Sequence, residues 1–131
     1  MMTDPIADLL TRIRNALRNH SSNCTVPGSR LKVSVLEVLK REGYIAGYTI
    51  HSDGPRSIVQ VDLKYGPEGE QVITRLQRYS KPGCRRYRSS QELPAVRGGL
   101  GICVVSTNRG VLSDRECREQ RVCGEVLCTV E

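Results

Sequence analysis

The 131-residue chain has no tryptophan and no phenylalanine, and tyrosine occurs only five times. A core without large rings must be aliphatic, so Val, Ile and Leu carry the packing. No apolar run approaches the ~18 residues that a membrane-spanning helix needs, and the opening "MMTDPIADLL" lacks the basic-then-apolar plan of a secretory signal. A soluble chain with no membrane partner is expected. C-x-x-C pairs are absent, and His20 and His51 stand apart in polar, turn-like stretches, so no metal ligand set can be read. Gly-x-Ser-x-Gly, phosphate-loop and dinucleotide fingerprints are also missing, and no serine or cysteine sits in a recognisable triad context. These absences predict no enzyme, no cofactor and no small-molecule substrate. There is no fixed-period repeat and no low-complexity tract, which excludes solenoids.

Positive charge is what the chain has in excess. Twenty Lys and Arg against fourteen Asp and Glu leave a formal charge of +6, and the isoelectric point near 9.2 makes polyanions the expected partner class. Six cysteines could form three disulfides in a secreted domain. Cys103 and Cys128, however, lie inside the apolar runs "GICVVS" and "EVLCTV", where cysteine serves as a small hydrophobe. Free thiols are expected throughout.

Hydrophobic periodicity orders the chain. Asp4 and Pro5 supply an N-cap and a first-turn proline, after which Ile6, Leu9, Leu10, Ile13 and Leu17 recur at the helical interval, with Thr11, Arg14, Asn15 and Arg18 on the opposite face. The short segment "SSNCTVPGS" leads to a second helix capped by Ser29, with Leu31, Val35, Val38 and Leu39 as its buried stripe and Gly43 as its left-handed stop. From Tyr44 the period changes to two: "YIAGYTI" and "SIVQVDLKY" flank Asp53, Gly54 and Pro55, a hairpin signal. "GPEG" at 66–69 is the candidate boundary. Beyond it, "QVITRLQRYS" and "CRRYRS" flank Lys81, Pro82 and Gly83, which predicts a second hairpin. A helical piece around "SQELPAV", the strand "ICVVS", a short capped helix "SDRECREQR" and the strand "GEVLCTV" follow. The predicted fold is α+β and two-lobed, with an α-β-α-β-β lobe over 1–70 and a mainly β lobe with short helices over 71–131.

Two places gather binding chemistry. Between Arg75 and Arg97 stand Arg75, Arg78, Lys81, Arg85, Arg86, Arg88 and Arg97 against Glu92 alone, with Tyr87 among the guanidinium groups where its ring could stack on a base. The same charges could instead protect a strand edge. In "GLGICVVSTNRGVLSDRECR", residues Ser106, Thr107, Asn108 and Arg109 fall on a β turn. Hydroxyl and amide groups there can read base edges and ribose hydroxyls while Arg109 meets a phosphate, although Ser and Asn are also ordinary turn residues. RNA and DNA both remain open on this reading, but the helices spend their apolar stripes on packing and none is a compact recognition helix.

The runs "GGLGICVVSTNRGVLSDRECR" and "DPIADLLTRIRNA", with "RLKVSVLEVLKREGYI", "LKY" and "RYSKPGCRRY" between them in order, resemble the bacterial-type small-subunit ribosomal protein eight family over essentially the whole chain. The resemblance implies a constituent of the small ribosomal subunit that binds a stem with an irregular internal loop in the central domain of the small-subunit rRNA and acts early in assembly. It also implies other small-subunit ribosomal proteins as neighbours, and repression of its own operon mRNA through a mimic of that stem. A bacterial cytoplasm and an organelle both fit. Residue by residue, the resemblance implies RNA contact at Ser106 and Thr107, supported by Gly124 and Glu125. Tyr87 belongs in the basic hairpin with Lys81, Arg85 and Arg86. From the N-terminal lobe it implies Asp4, Pro5, Thr11, Arg14, Asn15, Ser29, Arg30 and Lys32. The chain departs from the family pattern at Asn108, where serine is usual, at Glu116 and Cys117, where alanines are common, and at Cys123, where a small residue is usual.

Overall fold

In the computed structural model, which describes residues 4–53, 56–80, 85–89 and 91–131, and of Asp53, Arg56 and Arg97 the backbone alone, helix α1 (Pro5–Arg18) starts where the sequence places it. Asp4 Oδ1 accepts from the Ile6 N–H at 3.2 Å, satisfying one of the donors that a helix start leaves without an intrahelical partner. Ile6, Leu9, Leu10, Ile13 and Leu17 are all buried, and Thr11, Arg14, Asn15 and Arg18 all face solvent. The protein is α+β and divides into two compact units. Residues up to Ile6 group with Ile73–Glu131, and Ala7–Val72 form the other unit. Among the described residues no helix is long and apolar enough to cross a membrane.

In the Ala7–Val72 unit, β1 (Asn23–Pro27), β3 (Arg56–Leu63) and β2 (Ile45–Asp53) form an antiparallel sheet in the order β1-β3-β2. Asp53 pairs with Arg56 across the two-residue connection that the hairpin signal predicts, residues 54 and 55 themselves lying outside the described set. Helix α2 (Arg30–Arg41) is capped by Ser29, whose hydroxyl accepts from Lys32 N at 3.2 Å, and Gly43 takes the left-handed φ of +82° after its end. Its buried stripe differs from the predicted one. Leu31 is 37% exposed, and the inward positions are Lys32, Val35, Leu36, Val38 and Leu39. The phase is set by 32, 35, 36 and 39, and Lys32 fits because its methylene stem packs while its ammonium donates to Pro27 O at 3.0 Å.

The other unit is built on β8 (Gly124–Val130). On one side β8 pairs with β6 (Ile102–Thr107), which pairs in turn with β7 (Gly110–Ser113). On its other side it takes both β4 (Leu76–Arg78) and β5 (Tyr87–Arg88). Strand β8 is buried along most of its length because it is paired on both edges and packed by α3 (Asp114–Gln120), whose Cys117 joins Leu93, Cys103, Val105, Leu112 and Val126 in one core cluster. A complete capping box starts α3: the Ser113 hydroxyl accepts from Glu116 N, and the Glu116 carboxylate accepts from Ser113 N.

Two predicted features of this unit are corrected. Among the described residues the segments around "KPG" do not pair with each other as a hairpin. Both run antiparallel to β8 along the same edge, and residues 80 and 86 meet β8 at one residue: Ser80 N donates to Val126 O at 3.1 Å, and Val126 N donates to Arg86 O at 3.0 Å. A turn signal reports a change of direction but not the partner strand, and the open edge of β8 is long enough for both segments. Lys81, Pro82, Gly83 and Cys84 lie outside the described residues. The helical piece expected around "SQELPAV" is a single 3-10 turn displaced to Val96–Gly99, since Pro94 disfavours helical backbone in the residue before it. The described cysteines, Cys24, Cys103, Cys117, Cys123 and Cys128, are all free thiols.

Candidate nucleic-acid interface

Strands β6 and β7 close on each other with Thr107 opposite Gly110, leaving Asn108 and Arg109 as the loop. Gly110 adopts a φ of +106°, a conformation that costs glycine little and places the following strand back in register. The Thr107 hydroxyl fastens the bend from within: it donates to Gly110 O at 2.8 Å and accepts from Arg109 N at 3.0 Å. Thr107 is therefore mainly a brace. The Ser106 hydroxyl, the Asn108 amide and the Arg109 guanidinium take no side-chain partner among the described residues, and Asn108 and Arg109 are exposed.

Cross-strand register sets what stands beside the bend. Ser106, Glu125 and Tyr87 lie level across β6, β8 and β5, and Thr107, Gly124 and Arg88 form the next row. Gly124 permits this spacing, because a Cβ there would meet the Ser106 carbonyl and lie within 3.1 Å of Thr107 Cγ2. The result is a shallow cleft of about 430 Å³ lined by Tyr87, Arg88, Ser89, Ser106, Thr107, Asn108, Cys123 and Gly124. Tyr87 is 62% exposed beside it.

Beneath this surface Glu125 is buried and fully engaged. Its Oε2 accepts from the Ser80 hydroxyl at 2.6 Å, and Arg85 Nη1 donates to its Oε1 at 3.0 Å. The same Ser80 hydroxyl accepts from Arg86 N at 2.9 Å, and the Arg86 guanidinium lies 5.1 Å from the Tyr79 ring centroid. The basic segment is thus anchored at both ends, with Arg85 and Arg86 at the surface.

The N-terminal candidates are more dispersed. Asp4 is held by Arg78 Nε at 2.9 Å, while Arg78 also donates to Leu127 O at 2.6 Å, so this pair fastens the chain start to β8. Pro5, in the first turn of α1, is exposed; Arg14 and Asn15 are exposed on the same helix, and the Thr11 hydroxyl donates to Ala7 O at 2.9 Å. Ser29 is the α2 cap and Arg30 is exposed, whereas Lys32 is buried with its ammonium bound to a backbone carbonyl. Of the predicted contact residues, the fold brings Ser106, Thr107, Asn108, Gly124 and Tyr87 to one cleft, with Arg109 at the tip of its bend. The contributors from α1 beyond Ile6 and from α2 belong to the other unit.

No sequence signal marks Ser80 or Ser89 as part of the site, and Cys123 stands out only as a departure from the family pattern. Ser80 carries no periodic signal, and only the pairing of 80 and 86 with Val126 reveals its place under Glu125. The buried thiols are chemically inert by comparison with an exposed one. Burial raises Cys103 and Cys128 to about 12 and Cys117 to about 11, with the Asp114 carboxylate adding to the rise at Cys103 and Cys117.

Fold and surface together define a basic α+β binding protein whose neutral polar bend is flanked by arginines. The chain belongs to the ribosomal protein S8 family, whose model, described as Ribosomal protein S8, matches residues 4–130. The family is one of ribosomal structural proteins and not of enzymes. The chain is 48% identical over 130 residues to a small ribosomal subunit protein uS8 of Thermodesulfovibrio yellowstonii, covering 99% of each chain. It is 53% identical to the protein of that name from Shouchella clausii over 99% of this chain and 98% of the relative. It is 55% identical to one from Pseudomonas fluorescens over 98% of each.

Proposed function

We propose that this protein is a structural constituent of the small ribosomal subunit. It binds directly to a stem with an irregular internal loop in the central domain of the small-subunit rRNA and supports assembly of the particle. RNA recognition centres on the 71–131 lobe, and the same surface takes the mimic of that stem in its own operon mRNA and represses translation. The observation that carries this reading is the bend itself. Thr107 spends its hydroxyl on holding the turn, so Ser106, Asn108 and Arg109 stand uncommitted beside the exposed Tyr87 ring. An A-form stem hides its base edges in a narrow major groove, so short neutral donors and acceptors on a rigid platform suit its minor groove and its irregular bases, while a ring suits an unstacked one. Arg85, Arg86, Lys81, Arg14 and Arg30 supply sequence-independent attraction.

The test is affinity for the central-domain stem compared with an unrelated duplex of equal length. Ser106→Ala and Asn108→Ala should each weaken the stem complex about tenfold, on the scale of one buried hydrogen bond, and leave the duplex unchanged. Tyr87→Leu should also act on the stem alone. Equal losses on both RNAs would remove the bend as the reader. For the messenger, the operon transcript should compete with the rRNA stem for the wild-type protein, and Ser106→Ala should weaken both RNAs by the same factor.

A further inference from the structure

A second, larger cleft lies next to the first. It has a volume of about 880 Å³ and is lined by Ser89, Gln91, Arg118 and Arg121. Ser89 also lines the cleft at the bend, so the two adjoin at this residue. We propose that this second cleft holds a phosphodiester group of the same RNA whose bases and riboses meet the bend. The proposal rests on the RNA-binding reading and extends its contact surface to Arg118 and Arg121.

Two features of the arginines support it. Arg118 is preorganised: Nη1 donates to the buried Asp114 carboxylate at 2.8 Å, and Nη2 faces the Leu93 and Pro94 carbonyls at 3.4 and 3.5 Å. Its head is held in one place although the side chain is 41% exposed, and a rigid planar guanidinium suits a phosphate. Arg121 is the reverse case. It ends α3 in left-handed backbone, φ 55° and ψ 46°, where glycine or asparagine is the ordinary residue. Its side chain takes no partner among the described residues and opens onto the cleft. Asp114 is ion-paired with Arg118, and Glu92 accepts from the Ser89 hydroxyl at 2.8 Å.

The experiment uses the full chain and the central-domain rRNA stem, with affinity measured across a range of salt concentrations. Arg121→Gln should bind about three- to tenfold more weakly and flatten the slope of log affinity against log salt by about 0.7 to 0.9, the loss of one phosphate contact. Arg121→Lys should retain most of the slope. Arg121→Gly should lose as much affinity as the glutamine variant while melting at a higher temperature, which separates loss of charge from loss of fold. Lys64→Gln removes the same charge from an exposed site in the other unit and should leave the slope in place. An unchanged slope in Arg121→Gln, on a stem that the wild type binds, would overturn this proposal alone, and would point instead to an acidic protein segment as the occupant. Failure of the wild type to prefer the stem would remove the parent reading and this one together.

Discussion

The Ser80 hydroxyl donates to the buried Glu125 carboxylate at 2.6 Å while accepting from Arg86 N. One side chain thereby ties together residues 80 and 86 and the strand that carries the candidate interface. Glu125 is a clamp under the surface more than part of it. Glu125→Ala should destabilise the protein by about 2 to 3 kcal/mol, because it leaves the fully buried Ser80 hydroxyl without its acceptor. Arg85→Gln should cost under about 1 kcal/mol, since that partner is largely exposed. Urea unfolding at neutral pH checks both. Equal costs for the two variants would mean that the ion pair, and not the buried hydrogen bond, does the clamping.

Gly124→Ala tests the spacing of β6 and β8. Its methyl group would meet the Ser106 carbonyl, so the strands must part or shift. The expected cost is about 2 kcal/mol of stability, with a loss of RNA affinity larger than the destabilisation explains, because Ser106 moves. Circular dichroism melts alongside RNA titrations would show it. A variant that binds normally would mean that the position of Ser106 is unimportant.

Thr107 discriminates brace from reader. Thr107→Ser keeps both hydrogen bonds of the hydroxyl and should retain stability and binding. Thr107→Val keeps the shape but loses the bonds to Gly110 O and Arg109 N, and should cost about 1 kcal/mol. Backbone amide exchange at Arg109 should rise in the valine variant and not in the serine one. Unaltered exchange would show that the hydroxyl does not hold the turn.

The buried thiols make stability fall at alkaline pH. Cys128 ionises near 12 in the folded protein, while an unfolded thiol ionises near 9. Its contribution is fully present below about pH 9 and is lost as pH rises toward 12, because only the unfolded chain releases the proton in that window. The slope is about 1.4 kcal/mol per pH unit for each such thiol. Cys128→Ala should therefore show a shallower decline than wild type between pH 9 and 11 in urea unfolding. Parallel declines would place the titrating group elsewhere.

Much of this fold was legible in the chain. The α1 stripe, the Ser29 cap, the Gly43 stop and the change from period 3.6 to period 2 at Tyr44 are local signals, and each stands where the residues place it. The pairing of both flanks of "KPG" with β8 was not legible, because "KPG" carries turn chemistry and no information about which strand its flanks will join. The α2 stripe was read one residue off at Leu31, since a lysine whose stem packs and whose charge finds a carbonyl does not look buried in sequence.

What the sequence determined by itself is the set of elements and the chemical character of the bend: short polar side chains followed by a glycine make a tight turn with hydrogen-bonding groups wherever the strand is placed. Tertiary structure decided which of those groups are spent and what stands beside them. Strand β8 gathers residues 80, 87 and 106 from far apart in the chain, turns Glu125 inward as a clamp, and stands between Ser106 and Tyr87. No local pattern encodes that assembly, because strand partners are chosen by the packing of the whole unit.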